Sequence, residues 1–270
     1  MPSADKRARK KENARAAREQ REAALRRKKR TRSSITVGVV VALFVGVIIL
    51  LNVAGGGSKK KAVPPATSPT TTTLPVVLPA GCVKTVPPKP AKPQYKSAPA
   101  MTIDPTKTYT ATISTSCGTF TAELDAKNAP KGVNNFVYLA QHHFYDGLSW
   151  VRAAANFVIQ GGDPQGNGSN GTDYTLITET PKSGYPLGTL AYAKLPSAAN
   201  GTSSAEFFVV TGTQTQALSQ KLNGSYQYGA FGKVTSGLAN AQKIMSLAPA
   251  SGDGAPTIPM YIDKVTITES

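Results

Sequence analysis

The chain has 270 residues with 40% hydrophobic, 24 Gly, 20 Pro and 7% aromatics, a composition that fits one or two domains rich in β-structure and turns plus at least one unfolded stretch. The net charge of +16 is unevenly placed: residues 1–33 hold 14 Lys/Arg against 4 Asp/Glu, residues 55–100 hold seven lysines and no acid, and residues 101–270 hold 10 Lys/Arg against 11 Asp/Glu. A nucleic-acid-binding domain carries its basic patch on the folded surface, so the neutral C-terminal part is excluded from that class and no nucleic acid partner is expected.

Residues 1–34 form a basic tail, KRARKKENARAAREQREAALRRKKR within it, with helix formers but no apolar stripe. It reads as a solvated topogenic segment, with contact to anionic lipid headgroups as the functional alternative. Next comes ITVGVVVALFVGVIILLNVA, Ile35 to Ala54, without a single charge. At about 1.5 Å per residue this run spans roughly 30 Å, so a single transmembrane helix is expected. The excess of Lys/Arg before it keeps the N-terminus in the cytoplasm and sends residues 55–270 outside. A cleaved signal peptide is the alternative, since NVA precedes Gly55, but so long a basic region and so long an apolar run argue against it.

Residues 55–100 mix Pro, Thr, Gly, Ser and Lys, with little that could build a core, and read as a disordered extracytoplasmic tether. In extended form at about 3.1 Å per residue, residues 55–81 reach up to roughly 80 Å. The chain has two cysteines, Cys82 at the end of that stretch and Cys117 between two strand patterns. Both fall on the expected oxidising side, which favours a disulfide between them over two free thiols.

From Thr108 the apolar residues alternate. TYTATIST and GTFTAELD, joined by SCG, predict a hairpin. The stretch APKGVNNFVYLAQHH predicts a helix with Pro130 in its first turn and an apolar face of Val133, Phe136, Val137, Leu139 and Ala140. Short strands follow near 148–153, 156–160, 189–193, 206–211, 229–234 and 262–268. A second helix over 236–247 is expected to start at Ser236. Many antiparallel strands and two helices point to a mainly β fold closed into a barrel, which removes exposed edges.

Three chemistries find little support. GNGSNG matches the dinucleotide-binding glycine pattern, but no helix follows it. His142 and His143 are the two histidines of the chain and, as neighbours on a helix, point about 100° apart, so they cannot chelate one metal. Without further histidines there is no Ser-His or Cys-His pair elsewhere in the chain. No cofactor and no metal are expected.

What remains is a constellation in NNFVYLAQHHFYDGLSWVRAAANFVIQGGDPQGNG, GTLAYA, AEFFVV and LNGSYQYGAFGKV. In order and spacing these stretches resemble the cyclophilin-type peptidyl-prolyl cis-trans isomerases over roughly residues 104–270. The basic tail, apolar span and Pro/Thr tether are similar to those of membrane-anchored actinobacterial cyclophilins. The resemblance implies a domain over 101–270 folded as an eight-stranded antiparallel barrel capped by two helices. It implies isomerisation of X-Pro bonds in proline-containing segments of exported proteins, by a monomer expected at the outer face of the cell membrane.

The resemblance places the family's catalytic arginine on Arg152 and its glutamine on Gln160. The proline socket falls on Phe157, Val158, Phe208 and Leu222, with Glu206 and Tyr228 lining the substrate groove. Several positions depart from the family. Val151 stands where a histidine precedes the arginine, Glu206 replaces a glutamine, Lys221 replaces the socket's tryptophan and Tyr228 a second histidine. Glu206 either accepts a substrate N–H as glutamine does or pairs with Arg152 and draws it from the prolyl nitrogen. Two functions therefore stand side by side: an isomerase of reduced rate, and a module that binds proline-containing segments without useful turnover.

Overall fold

A computed structural model describes residues 77–90, 95–166, 171–222 and 224–270. Its first elements are β1 (Tyr109–Thr115) and β2 (Gly118–Leu124), paired in register from Tyr109 opposite Leu124 to Thr115 opposite Gly118. Gly118, at φ +102°, closes the two-residue turn, a conformation that a Cβ would strain. Alternate residues Ala111, Ile113, Phe120 and Ala122 are fully buried, which is the period-two pattern of a strand with one face inward.

Helix α1 (Pro130–Gln141) follows, with proline in its first turn and the expected face buried. Its N-cap, Ala129, offers no side-chain acceptor. The carboxylate of Glu179, far along the chain, takes that role by accepting from the amides of Lys131 and Gly132, each at 3.2 Å, where a negative charge meets the positive end of the helix dipole.

The longer remaining strands are β3 (Leu148–Ala154), β4 (Val158–Gly161), β6 (Thr189–Tyr192), β8 (Phe207–Val210), β11 (Ala230–Ser236) and β13 (Tyr261–Glu269). Two-residue strands lie between them: β5 (Leu176–Ile177), β7 (Thr202–Ser203), β9 (Lys221–Leu222), β10 (Ser225–Tyr226) and β12 (Asp253–Gly254). Antiparallel pairing runs β1–β2–β11–β6–β8–β4–β3–β13 and returns to β1. The barrel is thus closed and eight-stranded, with β12 added beside β3. Helix α2 is Leu238–Met245. The expected start at Ser236 is corrected: Ser236 is the last residue of β11, opposite Thr121, and Gly237 at φ +74° turns the chain into the helix. Ser236 precedes the N-cap residue Gly237, and its hydroxyl is hydrogen-bonded to Thr121 Oγ1 at 2.8 Å instead of to the helix. Likewise β4 begins at Val158, because Asn156 at φ +52° still belongs to the turn from β3.

Inside the barrel, Phe136 of α1 stacks on Tyr145 at 4.9 Å and meets Phe231 at 4.9 Å and Phe207 at 5.5 Å. Ile159, Leu190, Tyr192 and Val209 join this core. Their sequence neighbours Val158, Ala191, Phe208 and Val210 point the other way and form a second, smaller cluster with Ala154, Tyr185 and Leu218 on the opposite face of the sheet.

Residues 77–90 and 95–104 lie against the barrel. Cys82 is bonded to Cys117, and the amide of Val83 donates to the carbonyl of Ser116 at 2.7 Å. Gly147, at φ +73°, sits so close to this strap that a Cβ there would come within 2.5 Å of the carbonyl of Pro88. Lys89 donates to the carbonyl of Pro164, and the Tyr95 ring packs edge-on against Tyr138 and Phe144. The Asn134 side chain on α1 accepts from the amides of Thr102 and Ile103 and donates to the carbonyl of Ala100. The composition of this stretch suggested a tether, but its tyrosine, cysteine and asparagine contacts tie it down. Among the described residues no helix is long and apolar enough to cross a membrane. The basic tail, Ile35–Ala54 and the tether to residue 76 lie outside the described residues.

Candidate active site

Arg152 and Gln160 face each other across the β3–β4 pair, and Gln160 in turn faces Phe208 across β4–β8. Strand alternation alone would put Trp150 and Arg152 on one face. The register instead shifts between them, a bulge that turns the Trp150 indole into the core, where it is 1% exposed, and leaves Arg152 outside. The same outward face carries Val158, Phe208 and, two residues before Phe208, Glu206.

These polar side chains are joined end to end. Arg152 Nε donates to Asp253 Oδ1 and Nη2 to Oδ2, both at 2.6 Å. Arg152 Nη1 donates to Gln160 Oε1 at 3.2 Å. Gln160 Nε2 donates to Glu206 Oε1 at 2.8 Å. Glu206, only 3% exposed, can accept but not donate when ionised, so it holds the Gln160 amide with its carbonyl toward the arginine. The bidentate contact with Asp253 raises the Arg152 pKa and, reciprocally, holds the Asp253 carboxyl below the usual carboxylate range.

Beside these polar groups the face is aromatic. Phe157 is half-buried, its ring 5.7 Å from the Arg152 guanidinium carbon. Tyr185 hydrogen-bonds the backbone of Tyr228 in both directions, its hydroxyl donating to the carbonyl and accepting from the amide at 2.8 Å each. Burial pushes that hydroxyl well above its ordinary pKa, so it stays protonated as the donor. Tyr185 also packs near Tyr226 and Phe208. The Lys194 ammonium lies 5.6 Å from the Tyr228 ring and the Lys221 ammonium 4.7 Å from the Tyr226 ring. Partial burial lowers the Lys194 pKa.

Arg152, Phe157, Val158, Gln160, Glu206, Phe208 and Tyr228 are therefore gathered on one face. The backbone of Leu222 pairs with Ser225 in the β9–β10 hairpin, while its side chain lies outside the described residues. Glu206 meets Gln160, and the carboxylate bound to the guanidinium is Asp253. Sequence reasoning missed Asp253, Tyr185 and Tyr226. Asp253 lies in a two-residue strand that is too short to show periodicity, within SGDG, and its glycines were the one available signal. Among the described residues no three His, Cys, Asp or Glu side chains gather to hold a metal ion.

The family described as "Cyclophilin type peptidyl-prolyl cis-trans isomerase/CLD" matches residues 110–267. Peptidyl-prolyl cis-trans isomerase A of Mycobacterium tuberculosis is 31% identical over 188 residues, covering 63% of this chain and 97% of the relative. A peptidyl-prolyl cis-trans isomerase of Helicobacter pylori is 48% identical over 73 residues, 27% of this chain; the match spans 45% of that relative's length. A Cryptosporidium parvum cyclophilin type peptidyl-prolyl cis-trans isomerase, crystallised in the presence of the dipeptide Ala-Pro, superposes with a TM-score of 0.51 at 25% identity, over 60% of this chain and 99% of that one.

Proposed function

The chain belongs to the cyclophilin-type peptidyl-prolyl cis-trans isomerases, and from that premise we propose that it isomerises X-Pro bonds of exported proteins at the outer face of the cell membrane, with Arg152 as the essential donor. The uncatalysed bond turns over in tens of seconds, behind a barrier of about 18 to 20 kcal/mol, because amide resonance must be lost on the way. No nucleophile is needed. A donor aimed at the prolyl nitrogen as it becomes pyramidal, beside an apolar socket for the ring, stabilises the twisted state more than either planar one.

The observation that carries this reading is the direct cross-strand pairing of Arg152 with Gln160, on the face that also presents Phe157, Val158, Phe208 and Tyr228. Gln160 steadies the guanidinium, and the aromatic side chains offer the socket. A second reading, binding without useful turnover, is favoured by one feature: Asp253 occupies two donors of the arginine.

The test is exchange NMR on a proline peptide with the whole chain in detergent. In the first reading Arg152→Ala slows isomerisation roughly 100-fold while peptide affinity changes little, as for loss of a transition-state donor. Equal rates for the two proteins would leave the binding module.

The setting rests on sequence: the uncharged run Ile35–Ala54 as a single-pass anchor with the N-terminus inside, and the domain acting outside as a monomer. A C-terminal reporter is expected to be active only outside the cytoplasm, with the chain retained in membranes after carbonate washing. A soluble form starting near Gly55 would instead establish a cleaved signal.

A further inference from the structure

We propose that Asp253 is a positioning residue for the isomerisation, setting the angle at which Arg152 presents its free donors to the substrate; the inference rests on the isomerase reading above. A guanidinium has five N–H donors in one rigid plane. Asp253 takes the Nε proton and one Nη2 proton, and Gln160 takes one on Nη1. One donor remains on each of Nη1 and Nη2. With partners on two sides, the plane can neither swing about its long side chain nor rotate to offer a different edge. A long arginine side chain loses much rotamer freedom when fixed, and here that loss is met before substrate arrives.

The backbone is arranged to hold the carboxylate there. β12 adds to β3 with Asp253 opposite Ala154 and Gly254 opposite Ala153. Asp253 therefore lies diagonally across from Arg152, the distance at which long side chains on one sheet face meet. The amide of Ala155 donates to the carbonyl of Gly252 at 2.7 Å, which fixes the turn immediately before Asp253. Gly252 and Gly254 both have positive φ, +85° and +149°, so this short strand is entered and left through conformations that glycine adopts freely. Built this way, the loop carries one side chain to the arginine and little else.

The experiment compares the whole chain with Asp253→Ala, Asp253→Asn, Asp253→Glu and Arg152→Ala, measuring the catalysed exchange rate and peptide Kd separately by NMR. Asp253→Ala is expected to lower the rate about tenfold or more with Kd within about twofold, and Asp253→Glu to recover to within about threefold of the wild type. The Arg152 Nε–H resonance should be sharp and slow to exchange with water in the wild type and lost in Asp253→Ala, a change that a loop with a merely structural role does not produce. If Arg152→Ala is slow while Asp253→Ala and Asp253→Asn match the wild type, the positioning role is overturned and the isomerase reading stands. A faster Asp253→Ala would make the carboxylate a restraint and also overturn it. If Arg152→Ala is as fast as the wild type, the isomerase reading itself fails. A broad wild-type Nε–H signal overturns the proposal even should every Asp253 variant misfold.

Discussion

The rings of Phe208 and Tyr228 meet edge to face, 5.4 Å between centroids with planes at 89°. Phe208 is 3% exposed and Tyr228 half-buried, so in the proposed site the first would be the floor of the socket and the second a wall. Tyr228→Ala should weaken proline-peptide binding about tenfold, or roughly 1.4 kcal/mol, while leaving the rate at saturation nearly unchanged. NMR titration reads both. Unchanged affinity would place the proline ring elsewhere.

Glu206 touches the arginine's partner, which makes its two replacements informative. Glu206→Gln retains an acceptor for Gln160 Nε2 and should leave kcat/KM within about threefold of the wild type. Glu206→Leu removes the acceptor and frees the Gln160 amide to turn over, which should lower kcat/KM by about tenfold. A large rise in Glu206→Gln would mean that the buried charge restrains Arg152 through its field after all.

The Arg152–Asp253 pair has a pH signature of known sign. The folded-state carboxyl lies below its ordinary value, so its contribution to stability is present above the unfolded pKa, about 3.9, and lost as pH falls through the folded one. Asp253 is half exposed in the pair, which keeps the contribution small. The urea midpoints of wild type and Asp253→Asn should differ by a constant amount from about pH 5 to 8 and converge as pH falls below the unfolded carboxyl's pKa and then through the folded one. A gap that widens on acidification would contradict the pairing.

The Cys82–Cys117 bond closes a loop with a sequence separation of 35. In the chain-entropy model such a loop contributes about 3 to 4 kcal/mol, so reduction should lower Tm on the order of 10 °C. Both thiols should resist labelling until reduced. Free labelling of Cys82 in the native protein would show the bond absent.

Much of the barrel was legible because period-two alternation reports a half-buried strand directly. Ala111, Ile113, Phe120 and Ala122 fell inward as the pattern required. The bulge between Trp150 and Arg152 was not legible, since an inserted residue looks like any other until its partner strand is known. Resemblance, rather than periodicity, singled out Arg152, Gln160 and Phe208. It could not find the arginine's carboxylate, 101 residues away and held by a strand of two residues. Tyr185 was hidden for a related reason: its value lies in hydrogen bonds to the backbone of Tyr228, a contact that no local pattern encodes. Nor did composition reveal that Tyr95, Cys82 and residues 100–103 fasten the strap, because a proline-rich stretch reads as unfolded whether or not a few side chains anchor it.

The covalent link at Cys82 also decides how mechanical load would cross this domain. A pull on the chain from its N-terminal side reaches Cys82 and passes through sulfur to Cys117, at the tip of the β1–β2 hairpin, bypassing residues 83–116. The strap's contacts with Gly147, Tyr138 and Asn134 lie within the bypassed loop, and β1 is loaded from its C-terminal end, through the hairpin, rather than from Tyr109. Force enters the molecule at a turn whose two strands pair onward with β13 and β11, while Arg152 and Gln160 sit on β3 and β4, outside the direct line of stress. A domain held in this way takes a pull at the tip of a hairpin rather than at β3 or β4, and cutting the disulfide would shift the same load onto the strap and then onto β1 from its N-terminal end.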